Sequence, residues 1–162
     1  MPTDRQHLGP TAVRGRGFSL IELVLTALIV GLVAAVAVPR YADAVARYRL
    51  DAAEQRVRAD FERARQAATA TSGSVEIWFH LEFDRAVIPQ LPPIDGGAEQ
   101  YRTDYSADPY RADLVEVDFG GDAQVAFDGF GRPDSGGTLV VRVGGSQRTV
   151  ELDAVTGEVA VR

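Results

Sequence analysis

Three groups of residues in this chain have the types needed for chemistry. Glu22 stands at the start of an apolar run, Leu23 to Val38, that holds no other charged side chain. A carboxylate inside a membrane-length apolar segment costs roughly 2.5–3.5 kcal/mol at a helix centre and less near an end. A residue kept at that cost asks for a positive partner or for an escape to the headgroups by snorkelling. The second group is His80 with Ser72 and Ser74 upstream. The third is Asp95, Asp104, Asp108, Asp113, Asp118 and Asp122, spread through a Pro- and Gly-rich stretch.

The second and third groups carry little. His7 lies close to the N-terminus, so His80 stands alone in the rest of the chain, and there is no cysteine. Zinc sites and thiol nucleophiles therefore lack their ligands and their base. Serines at a helix end serve as caps and turns far more often than as nucleophiles. Calcium takes six to eight oxygens, but the aspartate spacing fits no EF-hand, and a solvated acidic surface is the better reading. No glycine-rich loop leads a strand into a helix, and Gly120-Gly121, Gly136-Gly137 and Gly144-Gly145 read as turns. No enzymatic activity, no metal and no cofactor are expected.

Glu22 is positioned by the N-terminal third of the chain. Residues 1–17 form a polar leader with Arg5, Arg14 and Arg16, set apart from the fold as a targeting segment. Phe18 to Val38 has the length of a membrane-spanning helix. Arginines flank the run on both sides, so charge counting leaves its orientation open. Pro39 predicts an interruption or bend, because it lacks an N–H and crowds the preceding turn. Helical periodicity then resumes: Leu50, Ala53, Val57, Phe61, Ala64 and Ala68 make one apolar stripe, and Glu54–Arg58 is a favourable i,i+4 pair. A second reading of the N-terminus stays open. Ala35-Val36-Ala37 resembles a signal-peptidase site, which would release a soluble chain beginning at Val38.

Gly17-Phe18-Ser19-Leu20-Ile21-Glu22-Leu23, followed by an unbroken apolar run to Pro39, resembles the processing site of type IV prepilins and type II secretion pseudopilins. The likeness covers about residues 14–41. It implies that a prepilin peptidase cuts between Gly17 and Phe18, that Phe18 is then N-methylated, and that Glu22 pairs with the terminal amine of a neighbouring subunit. It also implies a leader in the cytoplasm, an inner-membrane helix and a periplasmic head. Physical chemistry agrees with the pairing. An ammonium at Phe18 and a carboxylate at Glu22 are each unfavourable alone in a low-dielectric setting and attract strongly there.

Beyond Thr71-Ser72-Gly73 the period changes. Val75, Ile77, Phe79, Leu81 and Phe83 alternate as in a half-buried strand. Residues 89–113 read as a long irregular connection, in which Tyr101, Tyr105 and Tyr110, with Trp78 before them, could anchor a partner; core packing accounts for Trp78 equally well. Short strands follow at Leu114–Phe119 and Gln124–Phe127, then a hairpin of Thr138–Val143 and Gln147–Leu152 around Gly144-Gly145-Ser146, and a last strand, Glu158–Val161. Phe127-Asp128-Gly129-Phe130-Gly131-Arg132-Pro133, the hairpin and Gly157-Glu158-Val159 are similar to the GspH/FimT group of minor pseudopilins and minor pilins.

The expected fold is therefore α+β and pilin-like: a long N-terminal helix, membrane-spanning over 18–38 and amphipathic over 39–70, packed on an antiparallel β-rich head at 71–162. The expected function is a minor pseudopilin of a type II secretion system, with a minor type IV pilin (FimT/FimU-like) as the alternative. The expected partners are the prepilin peptidase, other pseudopilins or pilins, and the inner membrane. Residues 71–162 hold seven arginines against sixteen acidic residues, and the whole chain carries a formal charge of -6. Such a head is unsuited to nucleic acid, which requires a basic footprint.

Overall fold

The computed structural model describes residues 17–93 and 100–162. Arg5, His7, Arg14, Arg16 and Asp95, considered above, lie outside them. Helix α1 runs Leu20–Thr71. It takes Pro39 into its interior without ending there, so the predicted interruption does not occur. The ring removes one donor, the one that would reach the carbonyl of Ala35, and the turns on either side carry the helix past it.

The chain divides into two compact units at Arg40/Tyr41. In the first, every apolar side chain of α1 is exposed, among them Leu23, Leu25, Ile29, Leu32 and Val36. This helix is long and apolar enough to cross a membrane.

The second unit is built on the apolar stripe. Leu50, Ala53, Val57, Phe61, Ala64 and Ala68 are all buried, as their spacing predicts. They face two antiparallel sheets. One has the order β3-β2-β1-β5, from β1 (Val75–His80), β2 (Arg85–Ile88), β3 (Tyr101–Asp104) and β5 (Gln124–Phe127). The other has the order β4-β6-β7-β8, from β4 (Asp113–Asp118), β6 (Gly137–Val143), β7 (Ser146–Leu152) and β8 (Val159–Val161). Phe61 is the point where all three meet. Its ring lies 5.6 Å from Phe79 of β1, 6.5 Å from Phe127 of β5 and 5.7 Å from Phe119, just past β4. The second sheet is also tied to the helix by polar contacts. The Arg148 guanidinium donates to Asp51 at 2.6 Å and Glu54 at 2.8 Å, and Arg58 donates to the Val159 carbonyl at 2.8 Å.

Helix α1 ends in a Schellman motif. Gly73 N–H reaches the Ala68 carbonyl at 3.1 Å and Ser72 N–H that of Thr69 at 3.3 Å, with Ser72 rather than glycine in the left-handed region at φ 49°. This ending matters to the turn after β5. A Cβ on Gly129 would lie 2.8 Å from the Ser72 carbonyl carbon, so only glycine lets that turn rest on the helix end.

Four features depart from the sequence reading. β1 stops at His80, and Leu81–Phe83 form a 3₁₀ turn closed by Asp84 at φ 46°, which leaves Leu81 and Phe83 exposed. β2 and β3 were missed. β2 is four residues long with Ala86, Val87 and Ile88 all buried, so it shows no alternation, and β3 is polar in three of its four positions. Gly136-Gly137 is not a turn: Gly137 opens β6, where a Cβ would strike the Asp118 carbonyl oxygen. Finally, Trp78 is 38% exposed on the outer side of β1, whereas Tyr101 and Tyr105 are buried and cannot anchor a partner.

Candidate functional site

Gly17, Phe18 and Ser19 precede the first turn of α1 in an open, non-helical segment, and all three are exposed. The bond between Gly17 and Phe18 therefore lies in exposed, non-helical chain just before a helix start. Glu22 lies in the first helical turn, also exposed, and its carboxylate has no hydrogen bond or ion pair among the described residues. The one other polar side chain of the apolar stretch is satisfied internally. Thr26 donates its hydroxyl to the carbonyls of Glu22 and Leu23, the latter at 3.0 Å. Such back-bonding is how a hydroxyl is accommodated where water is absent. Among the described residues of this stretch, Glu22 alone has a polar side chain without a partner.

The residues considered for catalysis are not brought together. His80 is exposed on the outer face of β1, Ser72 sits in the helix cap and Ser74 is exposed in the connection that follows. Four of the five described aspartates of the third group serve local structure. Asp104 accepts from Ser106, Asp108 pairs with Arg111 at 2.6 Å, Asp113 pairs with Arg142 at 3.4 Å, and Asp118 accepts from the Gly121 N–H. No group of three metal-ligating His, Asp or Glu side chains occurs among the described residues.

One polar cluster escaped the sequence reading. Asp60, on the apolar stripe, is fully buried. Its Oδ1 accepts the Tyr101 hydroxyl, its Oδ2 accepts the Tyr105 hydroxyl at 2.8 Å, and Arg56 Nε lies 3.2 Å from Oδ1. Arg56 also donates from Nη2 to Tyr101 and to Thr103 of β3, both at 2.9 Å. Burial pushes the Asp60 carboxyl above its ordinary range. Tyr101, Arg56, Tyr105 and Thr103 pull it back without cancelling that effect. Burial, with Asp60 close by, pushes the Tyr101 phenol up to about 12 and Tyr105 well above its usual value. For Arg56, burial opposes the charge, but Asp60 and the phenols outweigh it. No buried polar atom of this cluster lacks a partner, so the cluster joins β3 and the chain beyond it to the helix rather than awaiting a ligand. The readable signal was an aspartate on an otherwise apolar stripe. Its tyrosine partners, more than forty positions away, were not readable.

No family model matches the sequence, and no curated protein matches it either. Solved structures do. The type IV minor pilin FimU of Pseudomonas aeruginosa superposes with a TM-score of 0.54 at 15% identity, covering 72% of this chain and 90% of that one. A second crystal form of FimU gives 0.52 at 15% identity, over 70% and 92% of the two chains. The minor pseudopilin EpsH from the type 2 secretion system of Vibrio cholerae gives 0.52 at 13% identity, over 70% and 96%. The long apolar helix, the two antiparallel sheets laid on its second half and these likenesses together give the chain the pilin-like fold.

Proposed function

We propose that the chain is a minor pseudopilin subunit of a type II secretion system. Residues 1–17 are a leader removed by prepilin peptidase, residues 18–38 anchor the subunit in the inner membrane, and the head at 71–162 faces the periplasm. Assembly moves the apolar helix out of lipid and packs it among the helices of other pseudopilins. The observation that carries this reading is the pairing of an exposed, membrane-length apolar helix, whose Glu22 carboxylate has no partner among the described residues, with a head of the pilin-like fold. Both the helix and Glu22 call for partners outside the chain, and neighbouring subunits with methylated Phe18 amines supply them. The likeness to FimU, at a TM-score of 0.54, is no weaker than that to EpsH, at 0.52, which supports a minor type IV pilin as the second reading. The acidic head weighs against nucleic acid as its target in either case.

The test is chemical. Mass spectrometry of the membrane form should give an N-terminus at methylated Phe18, and Gly17→Ala should leave the full precursor. Glu22→Ala should be cut normally and enter fibres poorly, with losses of about tenfold or more for a lost pairing of low-dielectric charges. An N-terminus at Val38 would replace the proposal with a secreted soluble domain.

A further inference from the structure

One turn of α1 follows the apolar run before the head begins to cover the helix. Tyr41, Ala42, Asp43 and Ala44 are all exposed; cover starts at Val45 and Ala46, both half-buried, and is complete at Leu50. Tyr41 is 74% exposed and Tyr48 70%. Seven positions apart, the two rings share one face of the helix. Arg47 stands beside them, exposed and without a carboxylate partner among the described residues, its Nε donating to the Asp43 carbonyl at 3.3 Å. That bond lays the guanidinium back over the preceding turn, towards the N-terminal end of the helix. Arg49 is placed differently. It is half-buried and lies near Asp108, whose carboxyl Arg111 and, less strongly, Arg49 hold below the ordinary range.

Charge is divided unevenly along the chain. Residues 39–50 hold three arginines and one acidic residue, whereas residues 71–162 hold seven and sixteen. Tyrosine and arginine next to a membrane-length apolar run are the residue types of the membrane–water interface: the ring sits at headgroup level and the long cation reaches a phosphate. In the proposed orientation this turn follows the span on the periplasmic side, where the usual bias is against arginine. A guanidinium kept there without a carboxylate of its own calls for another anion. Because the turn starts three residues after Val38, the anion it meets first is a lipid phosphate rather than a carboxylate of another protein.

We propose that Tyr41, Arg47 and Tyr48 form a binding surface for anionic phospholipid headgroups, which holds the subunit at one depth in the membrane before assembly. The tyrosines lay their rings among the headgroups, and Arg47 takes a phosphate with its paired N–H donors. The same anionic surface repels the acidic head, so the charge pattern keeps the head off the membrane while the turn is held on it. Entry into a fibre then requires that this contact be given up. The inference rests on the reading of residues 18–38 as a membrane anchor and adds which lipid the turn beyond them recognises.

The chain has no cysteine, so a single introduced thiol reports one position. Ala44 is exposed and lies between the two tyrosines on their face of the helix. Full-length Ala44→Cys protein is reconstituted in vesicles of phosphatidylcholine alone and of phosphatidylcholine mixed with phosphatidylglycerol, and its reaction with an uncharged, water-soluble maleimide is timed. The thiol should react about fivefold more slowly in the mixed vesicles, the effect of one arginine near an anionic surface. Adding Arg47→Gln, or separately raising the salt, should remove that slowing. Val155→Cys, at a position 78% exposed in the head, should react alike in both lipids. Equal rates at Ala44→Cys in the two lipids, in protein that resists extraction by alkaline carbonate, overturn the lipid contact and leave the anchor reading intact. Slowing that survives Arg47→Gln overturns the contact as well. Protein released by carbonate overturns both the contact and the anchor.

Discussion

Asp60 shows how one residue can set the terms for its surroundings. Its carboxylate has left water completely, and Arg56, Tyr101 and Tyr105 close around it. The net effect is a carboxyl that holds its proton more tightly in the fold than in the unfolded chain. That preference stabilises the fold fully below the ordinary carboxylate value, 3.8, and is lost as pH rises through the higher folded value. Asp60→Asn cannot ionise and should lack this dependence. Urea midpoints of the two proteins should separate above about pH 4, the parent losing stability relative to the variant as pH rises. Parallel curves would show that Asp60 titrates alike in both states. The exposed Asp108, Asp128 and Asp153, held low by Arg111, by the Arg132 backbone and by the Thr156 backbone, pull in the opposite direction, but they are common to both proteins and cancel.

At the scale of elements, the joint between the end of α1 and the turn after β5 is the most demanding. Ser72 takes the left-handed position of the helix cap, and Gly129 lies against it with no space for a side chain. Gly129→Ala must push the turn off the helix end, at a cost of about 1–3 kcal/mol typical of overpacking at a rigid contact. Denaturant unfolding should register that loss, whereas Gly145→Ala, in a hairpin turn with open space around it, should change little. Equal effects would mean that the turn relaxes freely. Pro39 behaves in the opposite way: a residue that ends many helices is carried through this one.

For the whole molecule, the proposed role leaves two machines to be separated, a secretion system and a type IV pilus. The exposed apolar helix requires lipid or other helices around it, and the acidic, cysteine-free head must rely on its own packing. If the chain serves secretion, deleting its gene should trap normally exported proteins in the periplasm while surface pili persist. Loss of pili or motility with export unchanged would assign it to a type IV pilus. Comparing culture medium with periplasmic extract, alongside a count of surface pili, separates the two outcomes.

The sequence by itself determined the features that depend on local spacing. The apolar run with Glu22 at its mouth, the stripe from Leu50 to Ala68, the hairpin over Gly144-Gly145 and the strand at Gln124–Phe127 all follow from patterns a few residues long. Tertiary structure alone decided the rest. β2 and β3 are recognisable only by what they pair with, because Thr103 is buried against Arg56 and Tyr101 against Asp60. The tyrosines turned inward because the helix supplied a buried carboxylate and guanidinium for the phenols to meet, whereas the outward Trp78 follows from the alternation of β1 itself, on the face opposite Ile77 and Phe79. A polar group can be buried only where its partner is, and here the partners come from distant parts of the chain.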